Sequence, residues 1–355
     1  MDKVIDIGGK RIGKGKLVFM IAEAGVNHNG KLRVAKQLVH AAKWAGADAI
    51  KFQTFTSENL VTEHAGMANY QIKNTKYQSQ LKMLKDLELN EKEFKELKEH
   101  CDKKGILFLS TPHTEDAIDF LEPLVPIYKV GSGDLTNTPF LVKLAKKGKP
   151  ILLSTGMSNL EEVREAVNSI KSFNQRLVIM HCTTSYPCAR KEVNLRAMQT
   201  IGKEFDCLVG YSDHTLGTDV MVMSVAMGAT VVEKHLTLDT TMKGPDHKAS
   251  IDPIEFREGV YKVRNIQKYN VALDEEVLGS SEKKPTKSEL TITPLIRKGI
   301  FSSKSIKSNE KFTPYNLAIK RPGKGLPPKY LNEIINKRSR MDIRKDTPIR
   351  FGMVK

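Results

Sequence analysis

In the stretch TVVEKHLTL, residues 230–238, a β-branched run ends in three ionisable side chains, Glu233, Lys234 and His235. Buried charge is costly unless it is paired or bound to a metal, so a core strand that ends this way raises a question of purpose. The same habit recurs along the chain. Other short apolar runs end in Glu23, Asn27 and His28; in Lys51 and Gln53; in Ser110 and Thr111; and in Lys129, Ser132 and Asp134. Further runs end in Ser154 and Thr155; in His181, Thr183 and Tyr186; and in Ser212, Asp213 and His214. Taken singly, a lysine or histidine at a strand end is more often solvated or hydrogen-bonded than functional. Eight such ends converging on one mouth are a site. The hydroxyls of Thr111, Ser132, Ser154 and Ser212, with Lys51 and Lys129, offer donors and positive charge to a phosphate and a carboxylate. His214 and His235 fall at the tips of consecutive runs, where two imidazoles can share one divalent metal and carboxylates or water complete its shell. Residue type therefore points to a small dianionic substrate beside a metal.

The elements that must position these groups are legible as a repeat. The apolar runs span 18–25, 49–55, 106–112, 126–132, 150–156, 177–183, 208–214 and 229–236. Amphipathic stretches such as KLRVAKQLVHAAKWAG and NEKEFKELKEHCDKKG separate them, with apolar residues at three-and-four spacing. Strands alternating with helices imply a parallel sheet, and eight units in roughly 250 residues imply an α/β fold of the (β/α)₈ barrel class. A doubly wound open sheet is the competing architecture, but no G-x-G-x-x-G follows an early strand. In a barrel, chemistry gathers at the C-terminal rim of the strands. Strand alternation puts Lys51 and Gln53 on one face, and Glu233 and His235 on one face with Lys234 on the other. Ahead of the first run, VIDIGGKRIGKGK reads as a hairpin with a Gly-Gly turn, placed to close the barrel floor.

The composition is that of a globular protein, with 40% apolar and 28% charged residues in 355. The barrel is expected over 1–280, a polar linker over 281–290, and a small β-rich domain over 291–355. At about 65 residues this domain is near the size where independent folding becomes marginal, so it should lean on a partner surface. Residues 281–355 hold 19 Lys and Arg against 6 Asp and Glu, which is +13 of the net charge of +16. Such asymmetry can mark nucleic-acid binding, but the lysines are scattered and lack aromatic interleaving; a solvated basic surface that draws in an anionic substrate is the preferred reading. No apolar run approaches the ~20 residues that span a bilayer. The first residues lack the apolar core of a signal peptide, and the four cysteines lack C-x-x-C spacing. A cytoplasmic protein is expected, with no membrane and no nucleic-acid partner.

The motifs IAEAGVNHNG, AIKFQTF, STP, YKVGSGD, STGM, GYSDHTLG, EKHLTLD and KGPDHKAS resemble, in order and spacing, those of the sialic acid synthase family. IKRPGKGLPP resembles that family's C-terminal domain, itself similar to type III antifreeze protein. The resemblance covers essentially the whole chain. It implies condensation of phosphoenolpyruvate with an N-acylated hexosamine, N-acetylmannosamine or a di-N-acetylated 6-deoxy analogue. The product would be a nine-carbon α-keto acid, sialic or legionaminic acid, and phosphate would leave by C–O cleavage. It implies phosphoenolpyruvate contacts at Lys51, Thr111, Lys129, Ser132, Ser154 and Ser212, and a proton-handling role for Glu23. A divalent metal, manganese with magnesium or cobalt as alternatives, would be held by His214 and His235. The sugar would meet Gln53, Asn74, Asp134, Tyr186 and Asp246, and Arg321 from the second subunit of a domain-swapped homodimer. Thr184 stands where some members have Asn, and Asp134 where some sialic acid synthases have Glu. Two rival readings remain at this point: a Schiff-base pyruvate aldolase on the same barrel, and a basic nucleic-acid-binding module.

Overall fold

Eight apolar runs become eight parallel strands in the computed structural model, which describes residues 3–355. After a hairpin of β1 (Val4–Ile7) and β2 (Lys10–Gly13) come β3 (Phe19–Gly25), β4 (Ala49–Thr54), β5 (Leu107–Pro112) and β6 (Tyr128–Val130). β7 (Ile151–Ser154), β8 (Leu177–Cys182), β9 (Leu208–Asp213) and β10 (Val231–His235) complete the set. The order is β5-β4-β3-β10-β9-β8-β7-β6, so the first and last strands of the repeat are paired neighbours. β5 and β6 lie side by side at the seam. The sheet therefore curls into a nearly closed (β/α)₈ barrel rather than the open doubly wound sheet.

Alternation along the strands sets the layers. Phe19, Ile21, Ala49, Leu109, Leu152, Val178, Met180 and Val231 fill the lower interior, and Ile5, Ile7 and Ile12 of the hairpin close the floor beneath them. Room for Met180 comes from Gly210: a Cβ there would lie 2.3 Å from the Met180 sulfur. Two residues further along the strands, the same inward direction meets Glu23, Lys51, Thr111, Lys129, Ser154 and Glu233, all buried. The outward residues pack under the helices. The Leu32–Trp44 helix buries Val34, Ala35, Leu38, Val39 and Ala42. The Glu91–Lys104 helix is opened by an Asn90–Glu93 capping box and stopped by Gly105 in the left-handed conformation.

Within the stretch expected as a linker, regular structure resumes at Lys287. The Lys287–Ile296 helix has its own capping box, Thr286 with Glu289. Beyond it, β11 (Gly299–Ser302) and β12 (Leu317–Lys320) pair antiparallel. Single bridges join the rest of the small domain around Ile300, Ile306, Phe312, Ile334 and Ile349. Its ladders are short because Pro314, Pro322, Pro327, Pro328 and Pro348 each lack an N–H donor. The domain leans on its own barrel. Lys298 Nζ lies 2.7 Å from Asp134 Oδ1, Arg297 lies 2.7 Å from Glu162, and Arg321 bridges to Val61. Among the described residues, no helix is long and apolar enough to cross a membrane.

Candidate active site

The two tripeptides Ser212-Asp213-His214 and Glu233-Lys234-His235 form a cross-strand ladder, with Ser212 opposite Glu233 and Asp213 opposite Lys234. On the outer face, Lys234 Nζ donates to Asp213 Oδ2 at 2.8 Å and to the Thr215 carbonyl at 2.6 Å. Asp213 Oδ1 accepts from the Thr215 amide and hydroxyl. A fully buried ion pair survives when further hydrogen bonds satisfy it, and here it locks the tips of β9 and β10 together. On the inner face, Ser212 Oγ donates to Glu233 Oε1 at 3.1 Å. At the rim, the His214 and His235 rings face each other with centroids 5.5 Å apart. The charged end of the core strand is thus fully used: one residue binds its neighbouring strand, and two enter the mouth.

Two lysines and two carboxylates form the centre. Lys51 Nζ lies 2.7 Å from Glu23 Oε2 and 3.7 Å from Glu233 Oε2, and donates to Thr111 Oγ1 at 3.0 Å. Lys129 Nζ donates to Ser154 Oγ at 2.7 Å and lies 3.4 Å from Glu233 Oε1. Gln53 donates to the other oxygen of Glu23. Burial and the neighbouring Glu233 push the Glu23 carboxyl up, against the pull of Lys51. Glu233 goes the other way: burial works against its charge, but Lys129 and Lys51 hold it well below the usual carboxylate range. Burial likewise opposes the charge on Lys51, and Glu23 and Glu233 outweigh it, leaving the ammonium held in its charged form.

The imidazoles suit a metal. His214 Nδ1 lies 2.7 Å from the Thr183 carbonyl, which can only accept, so Nδ1 carries the proton and Nε2 keeps its lone pair. His235 Nδ1 is buried without a hydrogen-bond partner among the described residues. Burial lowers the pKa of both rings and keeps them neutral, as ligands must be. Among the described residues, no third His, Cys, Asp or Glu joins them; water and substrate oxygens would fill the remaining places. Tyr186 leans on both rings, with centroids 4.3 Å from His214 and 5.6 Å from His235, and touches Tyr70 at 5.2 Å.

One cavity gathers these groups. It is lined by Glu23, Lys51, Gln53, Thr111, Lys129, Ser132, Ser154, Tyr186, Ser212, His214, His235, Asp246 and Arg321. Asp246 lines it too, and burial raises its carboxyl to about 6. Arg321 reaches in from the small domain, and its Nε is buried without a hydrogen-bond partner among the described residues.

Two expected sugar contacts do not line the cavity, and a third enters it from the same chain. Asn74 stands outside the cavity, in an adjacent groove, because its amide donates to the Pro245 carbonyl at 2.9 Å. Asp134 is buried and does not line the cavity; its Oδ1 is held by Lys298 at 2.7 Å and by the Asn137 amide at 2.9 Å, and its Oδ2 has no hydrogen-bond partner among the described residues. Through Lys298 it ties the small domain to the barrel. Arg321 was expected over a second subunit's barrel; here it lies over its own, since its backbone pairs with Leu60 and Thr62 of the same chain.

Sequence reasoning missed several lining residues. Tyr70, His113, Ile292 and Ile296 line the cavity from segments between or beyond the strand tips, where no pattern marked them. Glu233 was seen as a tip but given no role. Glu289 had a usable signal, T-K-S-E before an apolar run, which is a capping box.

Comparison with known proteins agrees with this geometry. Residues 38–274 match the NeuB family and residues 297–355 the SAF domain. The chain is 44% identical to the N,N'-diacetyllegionaminic acid synthase of Legionella pneumophila, over 96% of both proteins. It is 35% identical to the N-acetylneuraminate-9-phosphate synthase of Homo sapiens, over 98% of this chain and 95% of that one. The crystal structure of the spore coat polysaccharide biosynthesis protein spsE from Bacillus subtilis matches 99% of both chains with a TM-score of 0.85 and 30% identity. With eight ordered strand tips converging on one cavity and a SAF domain covering it, the chain belongs to the NeuB family and is an enzyme of the sialic acid synthase type.

Proposed function

We propose that this enzyme condenses phosphoenolpyruvate with a 2,4-diacetamido-2,4,6-trideoxy-hexose to give N,N'-diacetyllegionaminic acid and phosphate by C–O cleavage. The observation that carries the reading is the pairing of two buried lysines and a wall of hydroxyls with two facing neutral imidazoles in one cavity. Lys51 and Lys129 would hold the carboxylate and phosphate of phosphoenolpyruvate, and Thr111, Ser132, Ser154 and Ser212 would donate to their oxygens. C3 of phosphoenolpyruvate attacks the aldehyde of the open-chain sugar. Water then adds to the cationic C2, Glu23 takes its proton, and phosphate leaves from the tetrahedral carbon. The two ammonium groups stabilise the negative charge of the carboxylate and of the departing phosphate without a covalent bond. His214 and His235 would hold a divalent metal, manganese by resemblance, which when bound supplies a Lewis acid to the sugar's aldehyde oxygen.

The Schiff-base aldolase reading loses support at Lys51. An amine that attacks a carbonyl must be neutral, and Lys51 is held charged between two carboxylates. The choice of sugar rests on two things. Identity is 44% to the Legionella synthase against 35% to the human one. The cavity wall at Ile292 and Ile296 is apolar, which suits a C6 methyl better than a hydroxymethyl group. A phosphate-release assay over a panel of sugars tests the reading. Release should require sugar and be fastest with the diacetylated 6-deoxy compound, slower with N-acetylmannosamine and absent with mannose. Release with none of them would overturn the assignment.

The guanidinium of Arg321 suits an N-acyl carbonyl, which it can grip in a fixed fork. Arg321→Ala should raise KM for the sugar by roughly tenfold or more, as for a lost charged hydrogen bond, and leave KM for phosphoenolpyruvate within about twofold. Equal changes in both constants would remove Arg321 from the sugar end.

A further inference from the structure

The Lys287–Ile296 helix carries a carboxylate, Glu289, that is 1% exposed. Its Oε2 accepts from the Thr286 amide at 2.9 Å, closing the helix's own cap. Its Oε1 accepts from the amides of Met157 at 2.7 Å and Thr184 at 2.8 Å. Those amides belong to two different loops. Met157 follows Ser154 at the end of β7, and Thr184 follows β8. Met157 has φ 61°, the left-handed region that a side chain bulkier than glycine occupies only when its surroundings hold it there. Arg297, just beyond the helix, holds the same turn by donating to the Met157 carbonyl at 2.7 Å and to Ser158 Oγ at 3.2 Å.

Between the two loops, the Gly156 amide donates to Ser132 Oγ at 3.0 Å. A Cβ at Gly156 would fall 2.1 Å from Thr184 Oγ1 and 2.7 Å from Ser132 Oγ, so only glycine allows these hydroxyls to crowd together. Thr184 Oγ1 is itself buried with no partner among the described residues, and Thr184 lines the cavity. A buried hydroxyl left open at a cavity wall is placed for a ligand atom.

We infer that Glu289 is a positioning residue for the phosphate-binding wall. Its carboxylate ties the Met157 turn to Thr184, so that the hydroxyls of Ser132, Ser154 and Thr184 converge on the phosphate group. The segment that joins the two domains thereby sets the affinity of the barrel for phosphoenolpyruvate. The inference rests on the phosphoenolpyruvate reading given above. It has a direct competitor. Glu289 is an anion near an anion site, and if its charge mattered more than its hydrogen bonds, its removal would tighten phosphate binding.

Glu289→Gln and Glu289→Ala in the full chain separate the two. Binding of inorganic phosphate and of phosphoenolpyruvate is measured by calorimetry, and KM for each substrate by steady-state kinetics. The glutamine carbonyl can still accept from both amides, whereas alanine cannot. Phosphate and phosphoenolpyruvate affinity should therefore fall in the order wild type, Glu289→Gln, Glu289→Ala, with a loss of roughly tenfold or more for alanine and an unchanged KM for the sugar. Equal or tighter phosphate binding by the variants would overturn the inference. So would a parallel rise in both KM values with a lowered melting temperature, which is the mark of a merely structural role. If alanine prevents folding, the comparison of wild type with glutamine alone still gives the direction. Failure of the wild-type protein to bind phosphate or phosphoenolpyruvate would overturn the substrate reading, and this inference with it.

Discussion

Alanine at His214 or at His235 should lower turnover by roughly 10³-fold or more, the several kcal/mol that a Lewis acid contributes to a developing oxyanion. The two rings face each other at the rim with centroids 5.5 Å apart, and burial keeps both neutral. Loss of either leaves a single protein nitrogen for the metal. The barrel should stay folded, because the rings lie at the rim, away from the apolar lower interior closed by Ile5, Ile7 and Ile12. Binding of Mn²⁺, followed by paramagnetic resonance, should weaken in parallel with turnover. A variant with near-wild-type activity in metal-limited buffer would contradict the two-histidine site.

Lys51→Met has the second largest expected effect. It removes the cation that lies 2.7 Å from Glu23 and 3.7 Å from Glu233. Two buried carboxylates would then share a site with one lysine instead of two. kcat/KM for phosphoenolpyruvate should fall by roughly 10²–10³-fold, the loss seen when one preorganised electrostatic donor is deleted. Stability should fall by about 3–5 kcal/mol, because one partner of a buried pair is left uncompensated. Adding Glu23→Gln should recover much of the stability and none of the activity. Lys51→Arg should not rescue turnover, since a planar fork cannot replace a compact ammonium in a buried niche. Denaturant unfolding and steady-state kinetics on the three proteins check this. Unchanged kinetics in Lys51→Met would remove the lysine from the chemistry.

The barrel and its rim were legible because both rest on local rules. Period-two alternation with β-branched residues located the strands, and it sent Lys51 with Gln53 and Glu233 with His235 to the inside, where the cavity has them. Asp134 does not line the cavity, for a reason that no local rule contains. Its partner Lys298 comes from the other domain, and only docking shows that one of its oxygens is already taken. The docking of the domain that carries Arg321 was not legible either, because it depends on tertiary contacts: here Arg297 on Glu162, and the Arg321 backbone on Leu60 and Thr62. Ile292 and Ile296 lie on a helix whose first residues read as polar linker and whose remainder, from 291, read as part of the β-rich domain. The capping box at Thr286 and Glu289 would have marked its start.

The central claim is that phosphoenolpyruvate gives up phosphate by C–O cleavage as its C3 joins an acylated sugar. The sugar-dependent phosphate-release assay tests it most directly when run with phosphoenolpyruvate carrying ¹⁸O at its bridging oxygen. Mass spectrometry of the products should find the heavy oxygen in the phosphate and only solvent oxygen at C2 of the keto acid before exchange. Heavy oxygen retained in the keto acid, with unlabelled phosphate, would mean P–O cleavage and would contradict the account.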